Sequence, residues 1–471
     1  MRPRGERRLT RSGSAGPGVL FVTAEALAER MAGPAIRTLE LARALAADPR
    51  VGPVTVASLA SADLSDPVVR VVAAPDREVL GRLVTGVGSV VVQGDVLGLH
   101  PELLGSTVPV VVDAYDPFHL EQLERTRGLP EAARRAVVRD CVTSLNVQLS
   151  RADFVLCASG RQRALWLGHL AALGRVNPLT YDRSPDLSDL VAIVPFGTPL
   201  RRPGQGDRSR VTEEFPAITD EDVLVVWGGG IYEWLDAESL VRAVAAAGEE
   251  VPRLKLLFLG TRHPVPGVES AAASARAAAV ESGVLDRTVF FHEGWIPYEE
   301  RDRWLGSADI AATTHLDHLE TEFAYRTRVL DYFWCGLPVV SSSGDELADV
   351  IAGAGAGAVV DPGDVVALRD ALVDLAHDEG ARRRAAAASA DLGRAMTWDV
   401  VARPLADFCA DPRRAPDLVL PAAERAQLGL VDPRAQRGNL LRRLQVALAD
   451  GGPALVGRRL TARVERVLRR P

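Results

Sequence analysis

Short runs of β-branched and aliphatic residues alternate along most of the chain with stretches whose apolar positions repeat at helical spacing. Residues 19–23 form the first such run; Gly33 and Pro34 follow, and Ile36, Leu39, Leu41 and Leu45 then mark a helix. The same reading predicts strands at 54–58, 68–72, 89–93, 108–113, 154–158 and 191–197, with a helix over 131–150 and another opening at Ser159. Polar residues do not interrupt these strands, the pattern of a parallel sheet covered by helices on both faces. Residues 175–190 are polar and contain prolines, and read as an excursion. A second set begins at 223–226, closed by Trp227 and the triplet Gly228 to Gly230, and continues at 255–259, 288–292, 309–312, 339–341 and 359–360. Helices are expected between these strands at 270–282, 298–307, 327–335, 364–377 and 379–392. The RRPGQGDRSR stretch at 201–210 has the composition of an exposed linker and offers no apolar face.

The expected organisation is a disordered leader at 1–16 and an α/β domain over 17–200. A linker at 201–212, a second α/β domain over 213–397, a crossover and return segment over 398–430 and a basic tail at 431–471 complete it. Length agrees, since 471 residues exceed one ordinary core. A net charge of −7 makes no general case for nucleic-acid binding. The single lysine, Lys255, stands against 54 arginines, which points to a GC-rich coding genome more than to a function. Ten arginines against three acidic residues over 432–470 give a local +7, leaving −14 for the rest. Apolar positions at 440–448 and 455–468 alternate with those arginines. The two segments suit an anionic membrane surface, packing back on the protein, or exposure to solvent. Cys141, Cys157, Cys335 and Cys409 are widely spaced and read as thiols of a reducing compartment. No apolar run is long enough to span a membrane, and the first 16 residues lack a signal-peptide core, so the expected location is cytoplasmic, at most peripheral to the membrane.

The most informative stretch is ETEFAYRTRVLDYFWCGLPVV at 320–340. It predicts a loop, a helix from Thr327, a turn at Gly336 to Pro338 and a buried strand, with free amides at the helix start available to an anion. Arg328 and Asp331, three apart, share a face. A guanidinium beside free amides can hold a diphosphate, and a carboxylate one turn on can accept the two hydroxyls of a ribose; the alternative is a surface salt bridge. Gly33 can let the backbone approach a phosphate, or merely punctuate a loop. In VVVDAYDPFHLE at 110–121, Asp113, Asp116 and His119 follow a strand end, where open α/β sheets place ligands. Asp113 is a candidate cap and His119 a candidate contact to an acceptor hydroxyl or donor sugar, against a structural role. His315, Asp317, His318, Glu320 and Glu322 lack a helical frame and the H-E-x-x-H pattern, so no metal site is expected. Neither a dinucleotide fingerprint nor a P-loop is present.

Taken together, these residues resemble the two-domain GT-B glycosyltransferases, in particular the retaining, nucleotide-diphosphate-sugar-dependent branch (glycosyl transferases group 1, family 4-like). The resemblance runs from residue 19 to about 409 and is strongest in TRVLDYFWCGLPVV at 327–340. Gly33, VPFG at 194–197, the glycine triplet, FLG at 258–260 and GWIP at 294–297 support it. It implies two Rossmann-like domains facing across a cleft, here with a basic C-terminal helical extension. It also implies transfer from a nucleotide diphosphate sugar to a glycan or lipid-linked acceptor, with retention and without a cofactor. Asp331 would hold the ribose, Arg328 the diphosphate, Gly33 and Gly229 would lie in the phosphate-approach loops, Ile296 would meet the base, and His119 with Asp116 would face the transferred sugar. The chain departs from the pattern in two places. Glu322 and Asp331 enclose eight residues instead of seven, and Ile231, Tyr232 and Glu233 follow the glycine loop where relatives carry a basic residue; Arg326 or Arg262 would then supplement Arg328. An epimerase or hydrolase on the same fold, or a silent interaction module, is the alternative.

Overall fold

The computed structural model describes residues 16–204, 206–261 and 271–436. Arg262 and the tail from residue 437 onward lie outside the described residues. The first parallel sheet contains β1 (Val19–Thr23), β2 (Val54–Ser58), β3 (Arg70–Ala73), β4 (Ser89–Gln93), β5 (Val110–Asp113), β6 (Phe154–Cys157) and β7 (Val191–Ile193), in the order β3-β2-β1-β4-β5-β6-β7. The second contains β8 (Val223–Gly230), β9 (Leu254–Gly260), β10 (Val289–Phe291), β11 (Ile310–Thr313), β12 (Val339–Ser342) and β13 (Gly357–Val360), in the order β10-β9-β8-β11-β12-β13. In both sheets the order reverses beside the first strand of the set, which creates a crevice at the carboxyl ends of β1 and β8. Central strands such as β1 and β4 are buried at every position, whereas the edge strand β3 exposes both ends.

Two expectations needed revision. The glycine triplet is not a turn, because β8 continues through it, pairing Trp227 with Phe258 and Gly230 with Gly260 across a register shift. Gly229 adopts φ +83°, and a side chain at Gly260 would strike the Gly229 carbonyl, so backbone comes closest where the cleft floor forms. The stretch at 201–210 is not a free linker either. Asp207 caps the helix Arg208–Glu214, Val211 is fully buried, and the Arg201 guanidinium lies 4.6 Å from the Trp334 ring while pairing with Asp302.

Past the second sheet, helices Trp398–Val401 and Arg403–Ala410 return to the first domain. Phe408 stacks on Phe154 at 4.7 Å, Ser89 bonds the Cys409 sulfur, and Arg175, fully buried, pairs with Asp417 at 2.7 Å. Opposite this seam the domains clasp directly: Arg161 reaches Asp349 at 2.6 Å and the Gly344 carbonyl, and Gln162 donates to the Phe323 carbonyl at 2.9 Å. Among the described residues, no helix is long and apolar enough to cross a membrane.

Candidate functional site

The helix Arg328–Cys335 begins at the cleft and ends on Gly336, whose left-handed φ of 64° stops it. Its start offers fewer free donors than the sequence suggests, because the Val329 and Leu330 amides already bond to the Arg326 and Thr327 carbonyls. Arg328 and Asp331 do not pair with each other. Arg328 lies 4.7 Å from the Trp227 ring, donates Nη2 to the Gly230 carbonyl at 2.7 Å, and leaves Nη1 buried with no hydrogen-bond partner among the described residues. Asp331 accepts from Nε of Arg301 at 2.8 Å. The guanidinium of Arg301 is held between Tyr298, 3.8 Å away, and Trp334, 4.8 Å away.

Two cavities meet at Arg328. One, of about 180 Å³, is lined by Gly33, Gly229, Ile296, Arg301, Arg328 and Asp331. Its neighbour, of about 430 Å³, is lined by Gly33, Tyr115, Asp116, Glu121, Trp234, Glu320, Arg326 and Arg328. A side chain at Gly33 would touch only the Phe196 ring at 3.9 Å, so glycine there serves to leave room and is not required by the backbone. The loop carrying Ile296 is tied across the cleft, since Trp295 Nε1 donates to the Met31 carbonyl and the Tyr298 amide to the Glu29 carbonyl, each at 3.3 Å. Sequence reasoning thus brings Gly33, Gly229, Ile296, Arg328 and Asp331 to one cavity and Asp116 to the next.

Four expectations fail for identifiable reasons. Arg326 is spent on Glu320 through two bonds of 2.8 and 2.7 Å, so it is not a spare cation for a diphosphate. Glu322 is exposed and lines neither cavity. His119 also lines neither. Its ring sits 6.0 Å from that of Trp166, its Nδ1 is buried without a partner, and burial pushes its pKa down to about 4, which keeps it neutral. Asp113 caps nothing, because Arg37 takes both of its oxygens at 2.8 and 2.9 Å. His318, weighed as a metal ligand, caps the helix Leu319–Phe323. The residues missed altogether are Arg301 and Glu121, and Glu320 was weighed only as a metal ligand. Their only sequence signal is a charge near a loop, which thousands of solvated residues share.

Asp116 and Glu121 share a hydrogen bond on the first-domain side of the larger cavity, facing Glu320 and Arg326. Burial, then the charge of Glu320, raises Asp116 to about 7, and burial with Asp116 raises Glu121 well above the carboxylate range. A carboxyl whose pKa is raised by folding stabilises the native state while protonated, so this contribution is complete below about pH 4 and is lost as pH climbs through about 7. Asp116→Asn should therefore flatten the decline in melting temperature between pH 5 and pH 8. A decline identical to that of the unaltered protein would remove the pair as its cause.

Against this geometry, the comparisons are specific. Residues 221–378, the second sheet and its helices, match the family model described as glycosyl transferases group 1. HepE of Anabaena, solved with UDP and glucose, superposes with a TM-score of 0.61 at 13% identity, covering 84% of this chain and 100% of its own. WaaG, a glycosyltransferase involved in lipopolysaccharide biosynthesis, gives 0.58 at 16% identity over 83% of this chain and 100% of its own. Sucrose-phosphate synthase of Thermosynechococcus elongatus gives 0.58 at 17% identity over 83% and 98%. By sequence alone, the chain matches no curated relative. The likeness to these structures establishes a fold of the GT-B type. Its second half carries the group 1 signature.

Proposed function

We propose that the chain moves a sugar from a nucleoside diphosphate sugar to a hydroxyl of a glycan or lipid-linked acceptor, with retention, in the making of a cell-envelope glycan. The observation that carries this reading is Arg328, a guanidinium with one buried donor left unpaired where the two cavities join. A nucleoside diphosphate in the smaller cavity would set its base beside Ile296 and its ribose on Asp331, with its phosphates reaching Arg328 and Gly229. The sugar would then extend into the larger cavity, toward Asp116 and Glu121. HepE, solved with UDP and glucose, supports such a donor on this fold.

In this reading, as the bond from the anomeric carbon to the phosphate oxygen breaks, negative charge collects on the leaving diphosphate. Arg328 is fixed in a water-poor site to meet it, which makes the interaction stronger in the transition state than in bulk water. The acceptor hydroxyl attacks from the face being vacated and passes its proton to the departing phosphate. The arginine-rich tail, in this reading, brings the enzyme to an anionic membrane surface where the acceptor resides.

A ligand that prefers the native state must stabilise it. In a thermal-shift panel of nucleoside diphosphates and their sugar conjugates, one base should raise the melting temperature selectively. Asp331→Ala should weaken that ligand by about 1–3 kcal/mol, since the ribose hydroxyls lose their acceptor inside the cavity. A well-folded wild-type protein that responds to no nucleotide would end the proposal.

A further inference from the structure

The structure assigns Arg301 a role in donor recognition: it is the positioning residue that sets the carboxylate of Asp331 for the ribose. This rests on the nucleotide reading above. The Asp331 side chain is 33% exposed on a helix at the wall of the cavity, and a carboxylate with no partner there would be free to change rotamer. Arg301 removes that freedom. Its Nε holds Oδ1 at 2.8 Å, while Oδ2 has no partner among the described residues. One oxygen is fixed and the other is left over on a residue that lines the cavity.

Arg301 is itself immobilised. Its side chain is 12% exposed, its Nη1 donates to the Tyr298 carbonyl at 2.6 Å, and its guanidinium lies over the rings of both Tyr298 and Trp334. A planar cation stacked in this way cannot be replaced by lysine, whose ammonium lacks both the fork and the flat face. The chain position of Arg301 adds a further consequence. It follows the Ile296 loop by one turn, so the group that aims the ribose carboxylate hangs from the segment placed to meet the base. Base and sugar contacts are thereby held at a fixed spacing, and a ligand satisfying one is pre-positioned for the other.

The test compares the ribonucleoside diphosphate that stabilises the protein with its 2′,3′-dideoxy counterpart by calorimetry, in wild type, Arg301→Met and Arg301→Lys. Wild type should prefer the ribose form by tenfold or more. Both variants should bind the dideoxy form as wild type does while losing most of that preference. Transfer assays should show KM for the donor rising about tenfold with kcat changing less. Thermal unfolding identifies which variants are folded, and the milder Arg301→Lys serves if Arg301→Met is not. A folded variant that keeps the wild-type preference overturns the assignment of Arg301 alone. A wild type that binds nucleotide without discriminating the ribose overturns the role of Asp331 and this inference with it. A wild type that binds no nucleotide overturns the functional reading as well.

Discussion

Arg328→Ala should lower the turnover of sugar transfer by about 100-fold to 1,000-fold, the size of effect seen when a fixed donor to a developing oxyanion is removed. The same change should disturb folding little. Among the described residues Arg328 makes one hydrogen bond, to the Gly230 carbonyl, and its buried Nη1 has no partner. Removing a buried cation with an orphaned donor sheds a desolvation penalty along with the bond it made. Burial already pushes the guanidinium below the usual arginine pKa, which marks how little in the free site favours its charge. The measurement pairs steady-state kinetics with thermal unfolding, and unchanged turnover in a folded variant would remove Arg328 from the reaction.

Arg37→Met should be strongly destabilising, costing about 3–5 kcal/mol because it strands a buried partner charge. The Arg37 side chain is fully buried; besides both oxygens of Asp113 it bonds the Val194 and Pro195 carbonyls at 2.7 and 2.9 Å. Tyr115 and Phe196 stack near it at 4.7 and 5.3 Å. Its loss would leave two carbonyls without that donor and the Asp113 carboxylate with only the Gln93 Nε2 bond at 3.3 Å, beneath the cleft wall that Phe196 helps to form. Urea unfolding at neutral pH measures the cost. Arg37→Met combined with Asp113→Leu should recover part of it, because the charge left unpaired is then gone; a double variant no more stable than the single one would point to the carbonyls as the main loss.

The frame of both sheets was legible because each strand is a short apolar run and buried parallel strands need nothing else. Ends were less so. Val68 and Val69 look like strand, yet pairing with β2 begins only at Arg70, and β-branched residues cannot announce where a neighbour's edge stops. The glycine triplet looked like a turn because glycine permits turns, while its actual state depends on β9 lying alongside. Gly33, Ile296, Arg328 and Asp331, which line one cavity, could be picked out as candidates because backbone room or side-chain chemistry marks them locally. Arg301 was not, since its value lies in Asp331, thirty positions away. The same holds for Asp113, whose partner Arg37 is 76 residues distant, and for Arg326, which looked free until Glu320 took it. Spacing along the chain carries faces, and it does not carry partners brought together by the fold.

The return of helices Trp398–Val401 and Arg403–Ala410 to the first sheet fixes the order in which this chain can mature. Arg175 is fully buried against Asp417, and Asp153 accepts from Arg414 and the Ala415 amide. The first sheet ends at Ile193, so during synthesis it is made more than two hundred residues before those partners exist. It waits with an uncompensated guanidinium and an open seam along Phe154, and closes only when the end of the chain arrives. The half made first is therefore the half finished last, and a ribosome that stalls late leaves behind a nascent chain whose first domain is still exposed to chaperones and proteases.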